Sequence, residues 1–180
     1  MSQTDSKLIL SPSLKAFFFD SLSTINAQSV CPMPDSLIYY SSELLERLSL
    51  SEDYFEVQEG KVKEKILGLK LLESRSLSHA EQVRVLRDVA DTALLVTGYF
   101  SDSIKKKIVD PSYYIHLGKN SYERLNNLSP QYLDIPSFYH MLATGFDGLS
   151  LLLKKFSIEN FKSQTKYSFD ELYSVERKVS

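Results

Sequence analysis

Residues 78–98, SHAEQVRVLRDVADTALLVTG, decide the fold that the sequence predicts. Ser78 followed three positions later by Glu81 has the spacing of a capping box, in which the two side chains satisfy free N–H groups at a helix start. Apolar residues then recur every three or four positions: Val83, Leu86, Val89, Ala90, Ala93 and Leu94. Because the last turn is apolar on every side, we predict a central helix that stops near Gly98, which suits a left-handed C-cap.

Capping residues and prolines elsewhere in the chain predict further helices before and after this central helix. Ser11-Pro12 and Asp110-Pro111 are typical helix starts, with a capping side chain before a proline at the first helical position. Residues 54–60 fit either a short strand or a distorted helix end. The helices are predicted at about 12–26, 35–48, 61–74, 78–98, 110–126, 136–156 and 161–180. We therefore predict an all-α fold, a single compact bundle of six to seven helices.

The apolar spacing also predicts which side chains of the first three helices face the interior. In the first helix they are Phe17, Phe18, Leu22 and Ile25. In the second they are Leu37, Leu44, Leu45 and Leu48. In the third they are Val62, Ile66, Leu69 and Leu72.

Length and composition indicate one globular helical domain over residues 1–180, with 1–10 and 176–180 frayed. The chain is 43% hydrophobic and 24% charged, and its formal net charge of −2 creates no overall basic field for nucleic acid. No apolar run approaches the roughly 18–20 residues of a membrane span. The lone Cys31 cannot form a disulfide within the chain, and the first residues lack the apolar core of a signal peptide. We predict a cytoplasmic protein.

The titratable residues give no complete catalytic, cofactor or metal motif, so no catalytic residue, cofactor or metal ligand is predicted. Asp91 lies in an otherwise apolar helix, and we expect it to face solvent or to pair with Arg87, because an unpaired buried carboxylate is costly. An alternative that stays open is a helical small-ligand or metal-dependent enzyme that uses Asp91 with His116, Glu123 and His140.

Aromatic and lysine residues concentrate in one stretch of the chain. The candidate residues are Tyr99, Phe100, Lys105, Lys106, Lys107, Tyr113, Tyr114 and Tyr122. The aromatic residues either fill the core with their hydroxyls at its rim or form an exposed anchor for a partner protein. The lysines form a solvated face or contact phosphate or an acidic partner, which leaves nucleic-acid binding as a further alternative.

The same stretch carries a resemblance to a known group of proteins. Residues 91–125 read DTALLVTGYFSDSIKKKIVDPSYYIHLGKNSYERL, and residues 66–72 read ILGLKLL. Over about residues 61–125 the chain resembles an uncharacterised family of short helical proteins of proteobacteria. The resemblance implies helical content and a bacterial cytosolic setting, and it implies no catalytic residue.

Together these features favour a non-enzymatic cytoplasmic protein, a regulatory or adaptor module that binds another protein through the aromatic and lysine-flanked surface. The predicted partner is an acidic regulatory domain, such as a response regulator or a small GTPase, or a second copy of this chain.

Overall fold

The computed structural model describes residues 13–50, 64–101, 110–128 and 137–160, and the regular structure in these ranges is helical. The predicted all-α fold is confirmed. The predictions for residues 1–10, 54–60 and 161–180, for Lys105 to Lys107, and for the side chains of Val62 and Ile66 lie outside the described residues. The helices are α1 (Leu14–Ala27), α2 (Asp35–Leu50), α3 (Glu64–Glu73), α4 (His79–Thr97), α5 (Pro111–Leu128), α6 (Phe138–Thr144) and α7 (146–160), with a 3-10 turn at Ser74–Ser76 after α3.

Side-chain caps fix three helix starts. Glu81 accepts a hydrogen bond from the Ser78 backbone N–H at 3.2 Å, which is the glutamate half of the predicted capping box, and it also accepts from the Ser78 hydroxyl at 2.5 Å. The Asp110 carboxylate accepts from the Ser112 N–H at 2.9 Å, which confirms the second predicted start. The predicted start of α1 at Ser11 is wrong: the hydroxyl of Ser13 accepts from the Ala16 N–H at 3.2 Å, and the helix begins at Leu14.

Gly98 ends α4 at the predicted position but for a different reason. Its φ of −93° and ψ of −85° are not those of a left-handed cap, so that prediction is wrong. A Cβ atom at this position would lie 2.8 Å from the Leu153 Cβ and 3.0 Å from the Ser150 carbonyl oxygen. Glycine is needed because the backbone of α7 passes against the end of α4.

The predicted helix over 136–156 is interrupted at Gly145, which separates α6 from α7. The Gly145 N–H donates to the Met141 carbonyl and the Leu149 N–H donates to the Gly145 carbonyl, both at 2.9 Å. The i to i−4 hydrogen bonding therefore continues on both sides of the turn at Gly145. A Cβ atom on Gly145 would lie 3.2 Å from the Leu37 Cδ1, so α2 packs closely at this turn.

Helix α4 is the central element of the bundle, as its sequence predicts, and it packs against both α3 and α5. Five apolar residues of α4 have no exposed surface: Leu86, Val89, Ala90, Ala93 and Leu94. Gly118 of α5 lets the helices approach, because a Cβ atom there would overlap the Phe146 ring and lie 3.2 Å from the Ala93 Cβ. Helices α4, α5 and α7 therefore meet in one closely packed interior.

The inward face predicted for α2 is confirmed, whereas two other predicted faces are partly wrong. Leu69 and Leu72 of α3 are 53% and 64% exposed, and α3 packs inward through Leu67 and Leu71 instead. The i, i+4 spacing of that pair places both leucines against α4 and α5. Phe17 of α1 is 46% exposed, because Phe18, Leu22 and Ile25 of the same helix form the buried stripe.

Candidate functional site

The structure separates the aromatic residues that the sequence grouped as a partner surface. Tyr114 and Tyr122 are 1% and 0% exposed, so the prediction that they form exposed anchors is wrong, because both fill the core. Tyr99 and Phe100 are half-buried with ring centroids 4.8 Å apart, and Tyr99 packs towards α7. Tyr113 is 40% exposed, with its hydroxyl against Gly68 of α3.

A buried carboxylate joins α2, α4 and α5. Asp91 of α4 has no exposed surface, and its Oδ1 accepts hydrogen bonds from the Tyr40 hydroxyl at 2.6 Å and the Tyr122 hydroxyl at 2.8 Å. Its Oδ2 accepts from the Arg47 guanidinium at 2.8 Å. Such charge-assisted bonds are the strong class of protein hydrogen bond. The expectation that Asp91 faces solvent or pairs with Arg87 is wrong.

The environment of this network keeps its two tyrosines protonated. Desolvation by burial, followed by the charge of Asp91, raises the pKa of Tyr40 and of Tyr122 well above their ordinary value of 10.0. Both hydroxyls therefore act as donors to the carboxylate. Arg87, the partner expected for Asp91, donates to the Tyr139 hydroxyl at 2.6 Å and lies over that ring. We interpret the Asp91 network as a structural connection between three helices.

The residues of the enzyme alternative do not share one cluster. His140 of α6 and Glu123 of α5 form an exposed pair, with the His140 Nδ1 2.8 Å from the Glu123 carboxylate. The His116 Nδ1 lies 2.8 Å from the Ser112 carbonyl, within its own helix. Asp91 is bound to tyrosines and an arginine instead. Within the described ranges, no three His, Cys, Asp or Glu side chains are grouped in a way that could hold a metal ion.

A groove of about 440 Å³ opens between α1 and α2 and reaches the start of α6. Aromatic rings supply most of its lining, and two carboxylates lie among them. The lining residues are Phe19, Asp35, Ser36, Tyr39, Tyr40, Glu43 and Phe138. The Phe19 and Tyr39 rings meet edge to face at 6.3 Å, and the Tyr40 and Phe138 rings at 5.5 Å. The groove is therefore an aromatic trough lined by two edge-to-face ring pairs.

Charges at the groove are arranged around Tyr39. The Lys15 ammonium group of α1 donates to the Tyr39 hydroxyl at 2.7 Å, lies 3.4 Å from the Glu43 carboxylate, and sits 4.6 Å from the centroid of the Tyr39 ring. The hydrogen bond to Tyr39, followed by that to Glu43, raises the pKa of Lys15 above its ordinary value. Asp35 lies in the first turn of α2, where the helix dipole favours a negative charge. No cation of the described chain forms an ion pair with it.

No family model, curated protein or solved structure matches the chain. The resemblance of residues 61–125 to a proteobacterial family therefore stays a prediction. In the part of the chain that the structure describes, no helix is both long and apolar enough to cross a bilayer.

Sequence reasoning missed the groove because its residues come from three separate parts of the chain. Phe19, the segment 35–43 and Phe138 belong to different helices, and each has an ordinary explanation as a residue of an amphipathic helix. The one local signal is Tyr39-Tyr40, two adjacent aromatics that point about 100° apart on a helix, so that both cannot face the same core. In the structure Tyr40 is buried and Tyr39 is 46% exposed.

Proposed function

We propose that this protein is a non-enzymatic module that binds a segment of another protein in the groove between α1 and α2. The observation that carries the proposal is the aromatic trough itself, about 440 Å³ in volume and open to solvent beside the exposed ring of Tyr39. Sites for small molecules are typically concave and mostly apolar with a few polar groups, at about 300–1,000 Å³, so the groove has room for an apolar side chain of a partner segment. Tyrosine is also enriched among the residues that dominate protein interfaces.

The construction of the groove supports this proposal. Tyr40 and Phe138 are 8% and 6% exposed and belong to the hydrophobic core, so they form a fixed wall. Phe19 is half-buried and Tyr39 is more exposed, so a ligand can reach part of each ring, although Lys15 lies over the Tyr39 ring in the free protein. A wall that is already ordered lowers the entropic cost of binding.

The proposed function, binding of another protein, is the one that the sequence predicted, but the proposed binding surface is a different one. The sequence grouped Tyr99, Phe100 and Tyr113 with two tyrosines that the structure places in the core. The groove instead uses Tyr39 with Phe19, which no sequence pattern had grouped. A regulatory role for the module, and a cytoplasmic location, remain predictions.

The proposal is tested by cross-linking from the groove and then by titration. A photoreactive phenylalanine analogue replaces Ser36, which lines the groove, and the cross-linked protein is identified and purified. In a titration with that protein, we expect Tyr39→Ala to weaken binding at least tenfold, since interface hot spots contribute about 2 kcal/mol or more. Phe17→Ala is the matched control, because Phe17 is as exposed as Tyr39 (46% each) and lies outside the groove. Equal losses in both variants, or no loss in either, would contradict the proposal.

A further inference from the structure

We infer that the groove binds a basic side chain of the partner segment next to an apolar anchor, and that Lys15 occupies part of this cation site in the free protein. The inference rests on the proposed function and specifies the chemistry of the partner. It comes from two observations: the charge balance at the groove, and the position that Lys15 takes over Tyr39.

Of the two carboxylates in the groove, one has no basic group of the described chain beside it, so a positive charge on the partner could neutralise it. Among the residues that the structure describes, the groove lining contains Asp35 and Glu43 and no basic residue. Lys15 lies 3.4 Å from Glu43 and so offsets one of these charges. Asp35 is exposed and, among the residues that the structure describes, has no ion-pair partner. A basic group on the partner would complement Asp35, as charged groups across interfaces generally do.

Lys15 shows that the groove edge can hold an ammonium group. Its Nζ lies 4.6 Å from the Tyr39 ring centroid, within the distance at which a cation is attracted to an aromatic face. It also donates to the Tyr39 hydroxyl at 2.7 Å. An incoming basic side chain would therefore compete with Lys15 for the Tyr39 ring and the Glu43 carboxylate.

The same charges disfavour other classes of partner. Phosphate groups of a nucleic acid and anionic lipid head groups would be repelled by Asp35 and Glu43. An acidic regulatory domain, the partner predicted from the lysine-rich stretch, would also be repelled at this groove. A protein segment can complement both parts of the groove. An apolar residue would pack in the aromatic trough, and a neighbouring arginine or lysine would face the carboxylates.

The test selects binders from a phage-displayed library of random peptides on the full-length protein and then titrates the enriched peptides. We expect the peptides to combine an aromatic or aliphatic residue with an arginine or lysine. Their affinity should fall about two- to fivefold with Asp35→Asn, the range that exposed ion pairs support. It should rise by a similar factor with Lys15→Met, which removes the competing charge and keeps an apolar stem.

Asp20→Asn is the matched control, since Asp20 is an exposed acid of α1 outside the groove lining and its loss changes the net charge equally. Opposite effects of Asp35→Asn and Lys15→Met, with no effect of Asp20→Asn, support the inference. A different result would overturn the inference and leave the proposed function standing. In that result, the selected peptides carry no basic residue, lose binding with Tyr39→Ala, and bind Asp35→Asn and Lys15→Met as tightly as the native protein. A selection without any peptide that depends on Tyr39 overturns both.

Discussion

Replacing Asp91 with alanine tests whether one buried carboxylate holds three helices together. In the native protein the carboxylate accepts hydrogen bonds from Tyr40 of α2, Tyr122 of α5 and Arg47 of α2. Asp91→Ala removes the acceptor and leaves the two tyrosine hydroxyls inside the core. The Arg47 side chain is 45% exposed, so its guanidinium can recover hydrogen bonds from water.

The expected loss of unfolding free energy follows from the groups that remain. Each buried hydroxyl without a partner costs about 1–3 kcal/mol, so Tyr40 and Tyr122 together cost about 2–6 kcal/mol. Removing the carboxylate also relieves the cost of burying its charge, which offsets part of this loss. We therefore expect a net destabilisation in the lower part of this range, about 2–4 kcal/mol, measured by urea unfolding with linear extrapolation.

A second variant separates the unpaired hydroxyls from a general packing defect. Adding Tyr40→Phe and Tyr122→Phe to Asp91→Ala removes both orphaned donors while keeping the rings. The triple variant should therefore recover about 2 kcal/mol or more relative to Asp91→Ala alone. The reasoning would be refuted by a loss below about 1 kcal/mol in Asp91→Ala, or by a triple variant no more stable than the single one.

Two further perturbations test the packing and the titration of the core. Gly118→Ala places a methyl group against the Phe146 ring, and the overpacking cost of about 1–3 kcal/mol exceeds or cancels the helix-propensity gain of about 1 kcal/mol. Its thermal midpoint should fall below that of Gly148→Ala, which meets only the flexible end of a methionine; equal midpoints would contradict this packing. Because the pKa values of Tyr40 and Tyr122 are raised above 10.0, the folded protein keeps protons that the unfolded chain releases. The unfolding free energy should therefore be unaffected by these groups below pH 10 and fall above it, and the fall should be smaller in the double Tyr→Phe variant.

Two helix starts could be predicted because they depend on hydrogen bonds between residues close together in the sequence. Ser78 with Glu81, and Asp110 with the following proline, fix helix starts through bonds that span only two or three residues. The end of α4 was predicted at the correct glycine but with the wrong conformation. The need for glycine at position 98 comes from α7, more than fifty residues later in the chain, and no local pattern contains that information.

The orientation of α3 shows where periodicity is ambiguous. In ILGLKLL, residues 66–72, leucines occur at four of seven positions, so more than one face has helical spacing. Contacts with α4 and α5 decide that Leu67 and Leu71 turn inward. Leu69 and Leu72 remain exposed, which their sequence alone does not distinguish.

The partners of Asp91 could not be predicted because they are distant in sequence. Tyr40 and Tyr122 lie 51 and 31 residues away from it. The sequence did contain one valid signal, a carboxylate in an apolar helix, which requires compensation when it is buried. That signal predicts that partners exist, but the identity of those partners depends on how α2 and α5 pack around α4.

Tyr40 connects this network to the groove that we propose as a binding site. Its hydroxyl is held by Asp91 at 2.6 Å, while its ring lines the groove and contacts Phe138. In the proposed binding mode, a partner would not have to order this side chain, which would save about 0.5–1.5 kcal/mol of binding free energy. We therefore expect Asp91→Ala, although it cannot touch a ligand, to weaken binding of the selected peptides at a temperature where the variant is fully folded. An unchanged affinity would show that the Asp91 network stabilises the bundle without orienting the groove.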